Sequence, residues 1–591
     1  MDNTIMTKLM TMTRNKVNPE DAQKVVTYVA FLYWITLKQG RTLNLKDRDF
    51  FEMIEAVQVF ETDVTLKEAL SDLYDLCKHL ELYDQTLLNT LLETINSVTQ
   101  AQHQVAEIIN TAITTMPSRK EQNMVVPESI RTLMSRLIAV ENKTKVADLF
   151  MGTGSIGLTL KRIYPTVDFE YYGQEINKSV YFFAQIIKIV NNLSAFNLQN
   201  KDAYAIKKDQ AELFDVVLMD PPFSPKYTLE EDPTVFKYGI PNKIAVDWAN
   251  YQLGLYHLKP TGKAIVTATA GALYRSSDSK IREKMIMQDL IEAVILLPAH
   301  LYKTTAINTA IIVFNKQKPP ITQNKVIFVN ATQDYINLQK GKRVIPEANM
   351  QKIIQAVLEE KDQEGFSTRV DLETISQNDF NLNPSVYINA KTIKLKLKKS
   401  IPLSEVASIQ PGVQINQNDF ENLKTGATHY YLNVKNIKSE GIVYHDANRI
   451  RAKKTGWQDR YAIQAEDILL ISRGTVKRMI IVPKDFKPAF ISNNLTIIRV
   501  NPKHYNPYIL KKYLESDVGG LVLDNITTGS AIKMINARKL GDIRIPDYDQ
   551  KIIQQVGQSI AKNEETYQER LLEAKKKFDE EEVKIQKALK L

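Results

Sequence analysis

Between about residues 125 and 330 the chain alternates short apolar runs with longer stretches of helical periodicity, and this alternation restricts the fold more than any other feature. The predicted strands are TKVADLF (144–150), DFEYYGQE (168–175), FDVVLMD (214–220), KAIVTATA (263–270), EAVILLP (292–298) and TAIIVFNK (309–316). A parallel pair of strands needs a crossover to return the chain, and helices in that role cover both faces of the sheet. The expectation is an α/β core around a mostly parallel sheet. Ligands of such sheets sit beyond the carboxyl ends of the strands.

On either side the pattern changes. Residues from about 18 to 118 repeat apolar positions every three or four residues, with little Gly and with Pro only near the two ends. That predicts an independent N-terminal helical domain. A helix is predicted around 347–361, and the basic stretch KTIKLKLKKS (391–400) reads as a link. From about 401 to 548 short strands mix with Gly turns in a second module. After Asp549 the positions Ile553, Val556, Ile560, Tyr567, Leu571, Ala574, Phe578, Ile585 and Leu589 keep mostly helical spacing. They predict one long amphipathic helix able to join a coiled coil. The expected domains are therefore 1–120, 121–390, 391–548 and 549–591.

Composition excludes several classes. With 44% hydrophobic and 25% charged residues over 591 positions, neither a disordered scaffold nor a collagen-like stalk fits. The single cysteine, Cys77, can form neither an internal disulfide nor a thiolate zinc cluster. It points to a reducing compartment, so a cytoplasmic location is expected. The start MDNTIMTKLMTMTRNKVNP has no apolar core before a cleavage site, and no apolar run approaches the ~20 residues of a membrane span. A net charge of +9 is compatible with a polyanionic partner without requiring one.

Candidate chemistry lies at the ends of the predicted strands. Asp148-Leu149-Phe150-Met151-Gly152-Thr153-Gly154-Ser155-Ile156-Gly157 marks a strand giving way to a helix, where glycines let the backbone turn tightly and approach a ligand. Such loops serve several ligands, and no Gly-Lys-Ser follows to cradle a phosphate. Glu175 ends the next predicted strand, where a carboxylate can accept hydrogen bonds from ribose hydroxyls. Asp202, in NKDAY, is a candidate for an adenine edge in the same cleft. Asp220-Pro221-Pro222-Phe223 directly follows FDVVLM. Two prolines fix the backbone and remove two N–H donors, so carbonyl acceptors remain. The Asp220 side chain and the Pro221 carbonyl can then hold both hydrogens of an exocyclic amine, and Phe223 offers a face on which a base can stack. Held this way, the amine presents its lone pair to an electrophile. No metal-ligand cluster and no nuclease-type pair of acids followed by a lysine stands out.

With these residues the chain resembles the DNA adenine-N6 methyltransferases that use S-adenosylmethionine, and most closely the modification subunit of type I restriction–modification systems. The resemblance extends to VPESIRTLMSRLI (126–138), IREKMIMQDLIEAVILLPAHLYKTTAINTAIIVFNK (281–316) and ISQNDFNLNPSVYI (375–388), and covers roughly 120–390. It implies a Rossmann-like S-adenosylmethionine-dependent core. It also implies cofactor contacts at Pro127, Asp148, Phe150, Gly152, Thr153, Gly154, Glu175 and Asp202, with Asp220, Pro221, Pro222 and Phe223 catalytic. The implied reaction moves a sulfonium methyl to N6 of an adenine swung out of double-stranded DNA, with no metal. Three departures stand out: Asp220 replaces the usual Asn, EQNMVV precedes Pro127 where an aromatic-Thr pattern is usual, and TATAGALYR (267–275) lacks the usual Pro and Gly.

Residues 401–591 resemble one half of a type I specificity subunit, in IPLSEVASIQPGVQI (401–415), YYLNVKNIKSEGIV (430–443), AEDILLISRGTVKR (465–478) and TTGSAIKMINARKLGDIRIP (527–546). Arg473, Lys477 and Arg478, on or after a Gly turn, are candidates for contacts to phosphates or base edges. A single half implies that two chains pair through their C-terminal helices around a symmetric two-part site, and it leaves room for a separate restriction subunit. Two functions fit these residues. One is a sequence-specific DNA adenine-N6 methyltransferase with its own recognition domain; the other is a DNA-binding relative that has lost catalysis and acts by occupying its site. Methylation of RNA or of a protein amide is disfavoured by the recognition module.

Overall fold

A computed structural model describes residues 3–40 except 15, then 85–115, 125–205, 211–223, 232–240, 246–302, 307–338, 343–359, 362–397, 399–439, 441–474, 478–528 and 534–589, with a few positions between 67 and 78. Cys77, Lys477 and most of the stretch 41–84 expected to be helical lie outside the described residues. Packing divides the chain into two units, Met1–Pro384 and Ser385–Leu591.

The first unit begins with helices α1 (Asn3–Met12), α2 (Pro19–Lys38), α3 (Gln85–Val98) and α4 (Gln102–Thr114). From Val25 to Ile35, α2 is apolar and buried on nearly every side, as a helix at the centre of a bundle must be. Its core is continuous with that of the sheet that follows: Tyr28 packs on Phe183 with ring centroids 5.6 Å apart. Asn110 of α4 and Asn191 exchange reciprocal amide hydrogen bonds of 2.9 and 2.8 Å, so the polar groups in that contact are satisfied.

The sheet comprises β1 (Lys145–Asp148), β2 (Glu170–Glu175), β3 (Phe196–Asn200), β4 (Phe214–Met219), β5 (Leu258–Thr269), β6 (Ile291–Leu296), β7 (Thr309–Asn315), β8 (Lys325–Asn330) and β9 (Ser367–Asp371). Their spatial order is β9-β8-β6-β7-β5-β4-β1-β2-β3. β3, β2, β1, β4 and β5 are mutually parallel, as are β6 and β8; β7 and the edge strand β9 run antiparallel. All six predicted strands are present. β5 starts at Leu258, five residues earlier than its apolar run, with a register irregularity opposite Phe214 and Val216.

Strands β6 and β7 are buried at every position, which is why they read as mostly apolar runs; buried Glu292 of β6 is paired with Lys263 and accepts from Asn315 of β7. Helices α5 (Glu128–Arg136), α6 (Ser155–Ile163), α7 (Lys178–Val190), α8 (Asp247–His257), α9 (Ser279–Met287) and α10 (Glu347–Leu358) accompany the sheet. Gly157 lets α6 lie close to it: a Cβ there would stand 2.8 Å from the rings of both Phe196 and Tyr171. The connections reverse direction at β1, with β2 and β3 on one side and β4 and β5 on the other. That is the switch point at which open α/β sheets bind ligands.

The second unit opens with α11 (Pro384–Lys396), so the basic stretch expected to be a link is helical as far as Lys396. A four-stranded sheet combines β10 (Ala407–Pro411), β13 (Ile468–Ile471), β14 (Met479–Ile481) and β16 (Leu495–Val500). A three-stranded sheet combines β11 (His429–Leu432), β12 (Asn448–Ile450) and β15 (Ala489–Ile491). Helices α12 (Pro507–Glu515) and α13 (Asp517–Asn525) precede α14 (Gln550–Leu589), forty residues long. The start of α14 packs on α12: Ile553 is buried, Gly557 lies against Asn506, and Glu564 pairs with Lys511 at 3.6 Å. Beyond it Tyr567, Phe578, Ile585 and Leu589 are exposed. Among the described residues, no helix is long and apolar enough to cross a membrane.

Candidate active site

Four acids stand at the carboxyl ends of four adjacent parallel strands: Asp202 after β3, Glu175 on β2, Asp148 on β1 and Asp220 after β4. The sheet order therefore brings together residues spread over more than seventy positions of sequence. Asp148 is fully buried. Its Oδ2 accepts a 2.8 Å bond from the Tyr171 hydroxyl and its Oδ1 a 3.3 Å bond from the Phe150 N–H. Burial pushes its carboxyl up to about 7; the two donors pull against this, and the nearby charges of Asp220 and Glu175 add to it.

The loop after β1 turns through Gly152 (φ 54°) and Gly154 (φ 76°), left-handed conformations that glycine adopts without a Cβ clash. Gly154 caps α6, and the Met151 N–H donates to the Gln174 carbonyl at 2.9 Å, fixing the loop to β2. The hydroxyls of Thr153 and Ser155 are buried without a hydrogen-bond partner among the described residues. Buried hydroxyls are normally satisfied, so two of them orphaned in one turn fit a loop built around a polar ligand. Pro127 caps α5, which runs beside α6. Buried Arg131 locks the two together, from Nε to Thr159 Oγ1 and from Nη1 to the Val126 carbonyl, each 2.9 Å.

Glu175 is oriented by the next turn: its Oε1 accepts a 2.7 Å bond from the Asn177 N–H, and Asn177 in turn caps α7. Ile176, between them, is 63% exposed, an apolar side chain at the mouth of the same edge. Asp202 accepts a 2.9 Å bond from the Tyr204 N–H, and the Tyr204 ring meets Phe150 edge-on at 6.4 Å.

Asp220 is also buried. Its Oδ1 accepts bonds from two hydroxyls, Thr267 on β5 and, at 2.6 Å, Tyr302 after β6. Its Oδ2 is buried with no partner among the described residues. Burial pushes this carboxyl up to about 6, against the pull of the two donors. Pro221 is buried, Pro222 and Phe223 are half-buried, and the Phe223 ring stands edge-on to Tyr302 with centroids 4.9 Å apart.

The sequence candidates Asp148, Gly152, Thr153, Gly154, Glu175, Asp202 and Asp220 share one edge of the sheet. Sequence patterns give no role to Tyr302, Thr267, Tyr171, Ser155 or Ile176. An apolar residue beside an acid at a predicted strand end is a signal for Ile176 alone. In the second unit Arg473 is exposed, with Nη2 3.2 Å from Met534 Sδ, while the Arg478 guanidinium donates to the Ile437 carbonyl at 2.8 Å.

Residues 107–396 match the model of the family described as N-6 DNA Methylase. The type I restriction enzyme MjaVIII methylase subunit of Methanocaldococcus jannaschii is 30% identical over 291 residues, covering 46% of this chain and 50% of its own. The type I restriction enzyme MpnII methylase subunit of Mycoplasma pneumoniae is 29% identical over 296 residues, covering 46% of this chain and 54% of its own. The chain thus spans about half the length of the curated relatives it matches. Among solved structures, the methyltransferase subunit of a type I restriction-modification system from Streptococcus thermophilus superposes with a TM-score of 0.54 at 21% identity, covering 64% of this chain and 97% of that one. That likeness concerns the fold. Residues 107–396 thus match the N-6 DNA Methylase family, and this part of the chain is similar to type I restriction enzyme methylase subunits.

Proposed function

We propose that the chain is a sequence-specific DNA adenine-N6 methyltransferase of a restriction–modification system and that its cofactor is S-adenosylmethionine. The observation that carries this reading is Asp220: one carboxylate oxygen is held by two hydroxyls and the other is left as a bare acceptor, directly before two prolines and an aromatic ring. The residues of the neighbouring edge fit the cofactor. The Gly152–Gly154 turn with the Thr153 and Ser155 hydroxyls suits its amino-acid moiety, Glu175 its ribose hydroxyls, Ile176 an adenine face and Asp202 an adenine edge, with Pro127 and Phe150 closing the cleft. When bound, the cofactor supplies an electrophilic methyl group on a sulfonium centre. The chain's part is to hold the adenine amine against Asp220 Oδ2 and the Pro221 carbonyl while Phe223 supports the ring. The two acceptor contacts favour a tetrahedral nitrogen over the flat amine of a free base. Taking the base out of the duplex costs a few kcal/mol, which stacking on Phe223 partly offsets.

The names of the relatives, methylase subunits of type I restriction enzymes, support the assignment to a restriction–modification system. We read residues 385–591 as the DNA-recognition part, with α14 as a contact to a second copy of the chain and with room for a separate restriction subunit. Ligand binding tests the cofactor assignment first. A ligand that binds the native state alone raises thermal stability, by ~2.7 kcal/mol at a hundred times its Kd. S-adenosylhomocysteine is expected to raise the Tm of the wild type and of Asp220→Ala alike, and to raise that of Gly154→Val far less. No change in Tm for the wild type would remove the cofactor from the account.

A further inference from the structure

The Asp220 carboxylate sits in an asymmetric cage. Thr267 comes from β5, next to β4 in the sheet; Tyr302 comes from the chain after β6, two strands further along. Both hydroxyls point at the same oxygen, Oδ1, and Tyr302 is also the ring on which Phe223 abuts. Tyr302 is buried, and both its burial and the Asp220 charge hold its phenol well above its ordinary pKa, so it stays a donor. Tyr302 is the titratable group that acts on this carboxyl, as a donor, and the Asp220 charge in turn helps to push up Asp148 at the end of β1.

We propose that Tyr302, assisted by Thr267, is a positioning residue that orients the Asp220 carboxylate, occupying Oδ1 so that Oδ2 alone faces the substrate amine. The proposal rests on the adenine-N6 reading of the site. It also gives a reason for Asp where the resembling family usually has Asn. Two hydroxyl donors converging on Oδ1 suit a carboxylate, which accepts at both oxygens. A side-chain amide in the same cage would place its oxygen against the two hydroxyls and its NH2 against the amine, donor facing donor. Turning the amide over would leave a buried hydroxyl proton without its acceptor.

The cage makes Tyr302 and Asp220 interdependent, and four proteins test this: wild type, Tyr302→Phe, Asp220→Asn and the double variant. Methyl transfer from labelled S-adenosylmethionine to unmethylated genomic DNA is followed as a function of pH. Tyr302→Phe is expected to lower kcat at neutral pH by ten-fold or more with KM for both substrates nearly unchanged. The acid limb of its profile moves to higher pH, because the carboxylate has lost a donor to its charged form. Asp220→Asn is expected to be inactive, and the double variant to recover part of the activity, since the amide can then turn. A Tyr302→Phe enzyme with the wild-type kcat and pH profile overturns the proposal, as does a double variant no better than Asp220→Asn. The protonated-carboxyl infrared band that Asp220→Asn lacks provides a readout independent of turnover. Its midpoint must rise in Tyr302→Phe, and an unmoved midpoint sinks the proposal. If the wild type methylates no adenine, the adenine-N6 reading fails on its own, and the infrared midpoint still decides whether Tyr302 holds Asp220.

Discussion

Burying two carboxyls at one edge of a sheet costs free energy whenever both are ionised, because the neighbours that act most on Asp148 are neutral donors and two more acids, Asp220 and Glu175. The folded-state values of about 7 for Asp148 and about 6 for Asp220 lie above the ~3.9 of an unfolded aspartate, so between these limits the folded chain holds more protons than the unfolded one. The stability they contribute is fully present below the unfolded value and is lost as pH rises through 6 and then 7, at roughly 1.4 kcal/mol per pH unit for each carboxyl. The ligand-free protein should therefore lose Tm as pH rises from about 4 to about 7, most steeply below about 6 where both carboxyls contribute. Asp148→Asn, which still accepts from Tyr171 but carries no charge, should flatten that decline. Equal slopes in a pH series of melting curves would show that Asp148 is not strained by its charge. A cationic ligand at this edge offsets the same cost, which is one physical reason to expect a sulfonium there.

How much of the site the sequence discloses also differs residue by residue. Asp148, Gly152, Gly154 and Asp220 announce themselves because a turn after a strand has local requirements. Tyr302 and Thr267 do not. They lie 82 and 47 positions from Asp220 and reach it only because the sheet is ordered β4-β5-β7-β6, which no local pattern encodes.

Among the elements, strands buried on both faces are legible as apolar runs, whereas β3, FNLQN, has a single buried residue and pairs through its backbone at the sheet edge. Nothing in its side chains requires a strand. α11 is obscured in another way: its lysines make a helix read as a charged link. α14 is legible from its spacing, and its first turns pack on α12 of the same unit, whereas Tyr567, Phe578, Ile585 and Leu589 further along are exposed. Its exposed part joins the basic run Lys575–Lys577 to the acidic run Asp579–Glu582 around Phe578. Two copies lying antiparallel set opposite charges across the seam, and two parallel copies set like against like. Removing residues 565–591 should convert a dimer to a monomer in light scattering while leaving the unit's own core, which ends near Ile553 and Ile560, in place. Equal masses for the full and shortened chains would dispose of the pairing.

At the scale of the whole molecule, the residues that match the N-6 DNA Methylase family lie mostly in the first unit, and the second unit has cores of its own; the proposed function assigns DNA recognition to that second unit. The N-terminal helices share one core with the nine-stranded sheet, so a substitution in α2 is felt by the strands that hold the acids. The claim on which the rest depends is that this chain puts a methyl group on adenine N6 in a fixed DNA context. Single-molecule sequencing of DNA from cells expressing the protein tests it most directly. The expected result is N6-methyladenine in one recurrent sequence with the wild type and none with Asp220→Ala; marks on cytosine, marks without a shared context, or marks that survive Asp220→Ala would contradict this assignment.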